Sequence, residues 1–193
     1  DYSYQGLHFT QGSVSNYRYN YNGWQNTWGS PRDPASLFEC ENLQTITLGD
    51  DVKTIGSNIF SKLSSLTSLT IGSGVTSIGS NAFGGATSIT SITIPDSVTT
   101  ISSSAFSGLS SLESITLGSS VTSIGGSAFA GTALKSLVIP DSVTSIGSSA
   151  FQDATALTSL VIPDSVTSIG NDAFHGATAL TSVTFGSGVE TII

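Results

Sequence analysis

The chain is poor in several things at once. It has no methionine, one cysteine, two histidines and only five Lys plus Arg in 193 residues. So few cations against a formal net charge of −8 leave no basic stripe to meet phosphates, which excludes nucleic acid as a natural partner. The same charge disfavours an anionic membrane surface. No apolar run approaches the roughly 20 residues that cross a bilayer. A single cysteine, Cys40, permits no internal disulfide and fits a buried thiol better than a reactive one. Two separated histidines, His8 and His175, with one cysteine make neither a zinc set nor a catalytic triad. No Asn-x-Ser/Thr acceptor occurs, which removes N-glycosylation. The missing methionine at position 1 predicts a chain that begins at a processed or truncated end. Charged residues are only 9%, so solvation must rest on serine and threonine. That acidic, hydroxyl-rich balance suits an extracellular or surface setting.

What is present repeats. Valines recur at Val52, Val75, Val98, Val121, Val143, Val166 and Val189, in steps of 23 residues with one step of 22. An isoleucine stands three residues after each, from Ile55 to Ile192. A phenylalanine stands eight after the first six, from Phe60 to Phe174. Such a period marks stacked structural units that close a core only against their neighbours. The short step comes from one residue lost in Phe129-Ala130-Gly131-Thr132-Ala133-Leu134, where a loop can absorb it.

Within a copy, Leu160-Val161-Ile162 alternates in, out, in, as a half-buried strand does. Pro163, or glycine in other copies, then ends the strand, because proline has no amide to continue a ladder. The Gly-x-x-Ala-Phe stretch lacks alternation and predicts a short helical or 3₁₀ turn with its Phe inward. Strands of successive turns should lie parallel, one per turn.

The composite motif L-x-x-I-x-I-P-x-x-V-x-x-I-G-x-x-A-F-x-x-C-x-x-L resembles the BspA-like, or Treponema pallidum-type, leucine-rich repeat family. The likeness runs from about Phe38 to Ile193. Its cysteine survives only in Cys40-Glu41-Asn42-Leu43; that column otherwise holds Leu63, Ala86, Leu109, Gly131, Ala154 and Ala177. The resemblance implies a right-handed, curved leucine-rich repeat solenoid. It also implies a secreted or surface protein of adhesion or interaction, with no enzyme activity.

Residues 1–37 do not repeat. They hold all five tyrosines and both tryptophans, with Tyr17-Arg18-Tyr19-Asn20-Tyr21 alternating as a strand would. Two readings stand. The segment could cap the open apolar end of the first repeat, since terminal repeats are atypical. It could also be a contact surface, because Tyr, Trp and Arg favour interface hot spots. At the other end Val189 and Ile192 fall in core columns with no polar cap after them. Either a C-terminal portion follows Ile193 or a partner covers this end; if the partner is another copy, head-to-tail stacking would join Tyr17, Tyr19, Tyr21, Trp24 and Trp28 of one copy to Val189 and Ile192 of the next. Such a heterologous contact does not close, and propagates into filaments.

The outward strand positions form hydroxyl columns: Ser68, Ser91, Ser114 and Ser182 in one, Thr70, Thr93, Thr116 and Thr184 in the next. Seven strands about 4.8 Å apart make a concave sheet about 29 Å long. A second set follows the core valines at Thr76, Thr99, Thr122, Thr144 and Thr167. These faces fit plain β-propensity and solubility. They also fit O-linked sugars, or a host protein or glycan as ligand. Val138 and Val161 interrupt the column, which counts against ice binding. Asp50, Asp96, Asp141 and Asp164 stand two before a core valine. Asp141 and Asp164 could share a Ca²⁺ ion; an Asx-type turn accepting local amides is the simpler reading. No cofactor is implied. The first expectation is a self-assembling structural or adhesive protein, and the alternative a monomeric recognition module.

Overall fold

The computed structural model describes residues 2–4, 7–11 and 42–193. The repeat is a parallel β-solenoid of about six turns, with partners 23 residues apart and 22 at one step. The first two strands, β1 (Tyr2–Tyr4) and β2 (Leu7–Gln11), form an antiparallel hairpin. Beyond them each turn but one carries two strands. A longer one appears as β3 (Leu43–Leu48), β5 (Ser68–Thr70), β7 (Ser91–Thr93), β9 (Ser114–Thr116), β12 (Ser159–Ile162) and β14 (Ser182–Phe185). These define rungs one to four, six and seven; rung five has a single bridge, Val138 to Val161, at the equivalent place. A two-residue strand follows in each turn: β4 (Thr54–Ile55), β6 (Ser77–Ile78), β8 (Thr100–Ile101), β10 (Ser123–Ile124), β11 (Ser145–Ile146), β13 (Ser168–Ile169) and β15 (Thr191–Ile192). This second ladder was hidden in the sequence because two residues are too few to show alternation.

The short strands form one unbroken parallel sheet from β4 to β15. The long strands fall into separate groups, β1-β2-β3-β5, β7-β9 and β12-β14. Between the two ladders, Pro or Gly opens a four-residue turn closed by the valine amide, as in Val98 to Pro95 O at 3.1 Å. After the short strand comes the Ala-Phe stretch. It is a chain of turns, and no helix occurs among the described residues, so the expected helical turn is corrected. The reason is that alternate amides bond the next rung, as Asn81 to Ser103 O, Phe83 to Ala105 O and Phe106 to Ala128 O, while those between them close tight turns within their own rung, as Ala82 to Gly79 O and Gly84 to Asn81 O, so no run of helical bonds forms. That pattern needs left-handed backbone at Asn58, Asn81, Ser104, Ser127, Ser149 and Asp172, with φ between 52° and 57°.

The core is one continuous cluster from Leu43 to Ala173. Phe83, Phe106, Phe129 and Phe151 are fully buried, as their spacing predicted. Adjacent rings stack with centroids 5.3 to 5.7 Å apart. That exceeds the ~4.8 Å between strands, so the Phe corner is the wider side of the coil.

Candidate interaction surface

The long strands alternate as expected. In β7 and β9, Ile92 and Ile115 are buried while Ser91, Thr93, Ser114 and Thr116 are exposed. Ser91 faces Ser114 and Thr93 faces Thr116 across the ladder. Ser68 and Thr70 pair with Thr45 and Thr47 of rung one. Ser182 and Thr184 pair with Ser159 and Val161 of rung six. All eight candidate side chains are exposed. None of them makes a side-chain hydrogen bond to another described residue. Among the described residues their hydroxyls carry no part of the rung-to-rung bonding.

The other threonine set behaves differently. Thr76, Thr99, Thr122, Thr144 and Thr167 each donate Oγ1 to the carbonyl one rung below, at 3.0 to 3.3 Å. The same carbonyl takes the backbone amide of that threonine at 2.8 to 2.9 Å. Thr67, Thr158 and Thr181 do likewise where the chain enters the long strand. Ser97 and Ser142 donate to the valine carbonyls of the preceding rung, Val75 and Val121. Ser165, in the same column, leaves its buried Oγ unpartnered. These columns knit the solenoid, and the outward long-strand columns do not.

The aspartates also serve the stack. Asp50, Asp96 and Asp164 each accept the amide and the hydroxyl of a serine one rung on: Ser73, Ser119 and Ser187. Amide distances are 2.6 to 2.7 Å. The expected local Asx turn is thus corrected: the partner lies across a rung, because the turn's own closing bond is already made by backbone. The hydroxyl and amide of Ser73 hold Asp50 below its usual carboxylate range, and the amide and hydroxyl of Ser119 do the same for Asp96. An Asp followed one period later by Ser was the legible signal for this pairing. Asp141 instead precedes Asp164, whose Oδ1 is already bonded to Ser187. Among the described residues no three His, Cys, Asp or Glu side chains gather as a metal site.

The ends of the coil differ. Tyr17, Tyr19, Tyr21, Trp24, Trp28 and Cys40 lie outside the described residues. Strand β2 runs antiparallel along β3, with Phe9 opposite Ile46, so the outer edge of the first long strand is occupied. At rung seven Phe185 is 44% exposed and Ile192 61%, while Val189 is half-buried. His175 is exposed in the last Phe turn and its amide closes that turn on Asp172. His8 stands opposite Thr47 in β2.

One feature breaks the hydroxyl face: Val138 and Val161 are side by side and largely exposed. In the entry column of Thr158 and Thr181, Lys135 Nζ meets Glu113 Oε2 at 2.7 Å.

No functionally curated protein matched the chain. Among solved structures, a leucine-rich repeat protein of T. pallidum is similar at 25% identity and a TM-score of 0.68, covering 80% of this chain and 78% of its own. A leucine-rich repeat protein of Eubacterium ventriosum is similar at 28% identity and a TM-score of 0.63, covering 75% of this chain and 39% of its own. The family model for the BspA type leucine rich repeat region matches residues 34–158 and 145–193 in six copies. With that match over most of its length, and the column-by-column geometry that explains it, the chain belongs to the BspA-type leucine-rich repeat family.

Proposed function

We propose that the protein is a non-enzymatic recognition module, extracellular or on a cell surface, that binds a protein or glycan across its long-strand hydroxyl face. One observation carries this. Ser68, Thr70, Ser91, Thr93, Ser114, Thr116, Ser182 and Thr184 are exposed with hydroxyls unspent, whereas the threonines of the stacking columns donate to backbone. A face with no structural duty, built at regular spacing, suits a partner that contacts several rungs together. It also leaves room for O-linked sugars on the same hydroxyls. The test uses the full chain against panels of immobilised glycans and extracellular-matrix proteins. Changing Ser114 and Thr116 together to lysine should remove binding while the protein stays folded and monomeric. Binding unchanged by that pair would sink this reading.

A second reading is head-to-tail assembly through Tyr17, Tyr19, Tyr21, Trp24 and Trp28 onto the rung-seven surface around Val189 and Ile192. That surface would include Phe185, 44% exposed, and Ile192, 61% exposed. The hairpin limits it, because β2 already pairs with β3 and a neighbour's β14 would meet β1 instead. Sedimentation of the full chain and of a variant lacking residues 1–37 separates the two. Concentration-dependent polymers lost on deletion support assembly, and monomers in both reject it.

A further inference from the structure

Rung five departs from its neighbours on one side only. The step into it is 22 residues, with Ser123 opposite Ser145, and the missing residue lies in the turn before Leu134. Its long segment, Ser136–Ile139, is not a strand and has the single bridge from Val138 to Val161. Toward rung four, the one backbone bond found is the Lys135 amide to Glu113 O at 3.2 Å. By contrast β7 and β9 share three partner pairs, and β12 and β14 share four. The junction of β5 and β7 likewise lacks ladder pairing and has no backbone bond between its long segments, but both strands are formed there and the step is full, so rung five is set apart by its missing strand and its short step.

The other sides of rung five are fastened normally. The short strands β10 and β11 pair at Ser123–Ser145 and Ile124–Ile146. Phe129 stacks on Phe151 at 5.7 Å, and buried Thr132 closes the shortened turn on Phe129 O at 2.9 Å. Leu137 and Ile139 still reach the core. A coil bonded along two sides and loose on the third can open on the third. The lone ion pair among the described residues spans that loose side, and it joins Lys135 to Glu113, the residues of the lone backbone bond.

We propose that rung five is a hinge of the solenoid, at which the long-strand side opens between Glu113–Leu117 and Lys135–Ile139 about the continuous short-strand ladder, with Lys135–Glu113 as its clasp. The shortened turn is the cause: with one residue fewer, the chain keeps Leu134 in its buried column and draws the following segment off the ladder. Local opening of this kind exposes amides without global unfolding.

Hydrogen exchange of the full chain, followed by mass spectrometry, tests it. Amides of residues 135–139 should exchange at least about tenfold faster than those of β7 or β12. K135Q or E113Q should each speed exchange there by about two-fold, in keeping with an exposed ion pair, and leave the other rungs unchanged. High salt should do the same to the native chain and not to the variants. Inserting one serine between Thr132 and Ala133 should slow the segment toward its neighbours. Exchange at 135–139 as slow as in β7 and β12 would overturn the hinge even if the insertion variant does not fold. Acceleration of every rung alike in K135Q would overturn the clasp.

Discussion

The division of the threonines into bonded and free columns can be tested with one matched pair of variants. The first changes Thr99, Thr122, Thr144 and Thr167 to valine. The second changes Thr70, Thr93, Thr116 and Thr184 to valine. Valine keeps the β-branched shape, so both sets retain strand preference and lose only four hydroxyls. In the first set each hydroxyl donates to a carbonyl one rung below at 3.0 to 3.3 Å. Each such bond has a net worth of about 0.5–1.5 kcal/mol. The low end applies, because the carbonyl keeps the backbone amide as its donor. Four bonds then give about 2 kcal/mol. The second set has no bond to lose, so its stability should stay within a few tenths of native. With a urea slope of about 2 kcal/mol per molar, the first variant's midpoint falls by about 1 M and the second's does not. Midpoints are the right readout, because repeat arrays need not unfold in a single step. Equal midpoints for the two variants would refute the division and, with it, the argument that one face is free for a ligand.

Three further outcomes follow from the same geometry. Phe106 is fully buried and stacked on both sides, so Phe106→Ala should cost about 3–5 kcal/mol, whereas half-buried Phe174, stacked on one side, should cost markedly less; equal losses in urea would contradict a graded ladder. Lys62 sits at φ 73° where Gly85, Gly108, Gly131 and Gly176 stand in other turns, so Lys62→Gly should stabilise by about 1 kcal/mol, and a lower midpoint would refute the strain. Asp50 and Asp96 have lowered carboxyl values, so their contribution is complete above the ordinary unfolded value of about 4 and is lost as pH falls through the folded value. The double variant Asp50→Asn, Asp96→Asn should flatten that acid limb in pH-dependent unfolding, and an unchanged limb would count against the Ser73 and Ser119 bonds.

The columns were legible because a stacked repeat states each position several times. Phe60 to Phe174, Val75 to Val166 and the alternation around Ile92 and Ile115 all fell where the spacing put them. The left-handed positions were legible only in part. Asn58 and Asn81 are residues that tolerate positive φ, but Ser104, Ser127 and Ser149 occupy the same place and give no such hint. The bonded and free threonines cannot be distinguished by composition at all. They differ in what lies below them: the bonded column meets a carbonyl at the same position one rung down, and the free column meets another outward side chain. Yet the sequence does hold a trace of this. From Thr76 to Thr167 the bonded column is threonine at every rung, and it changes only at Lys53 and Glu190, in the first and last of the seven copies. The outward column admits Val138 and Val161 in the middle of the coil. A valine in the bonded column would remove a rung-to-rung bond; on the outward face it removes nothing the solenoid uses. The two residues that interrupt the hydroxyl ladder are therefore a reason to regard that face as released from structural duty, and so open to a partner.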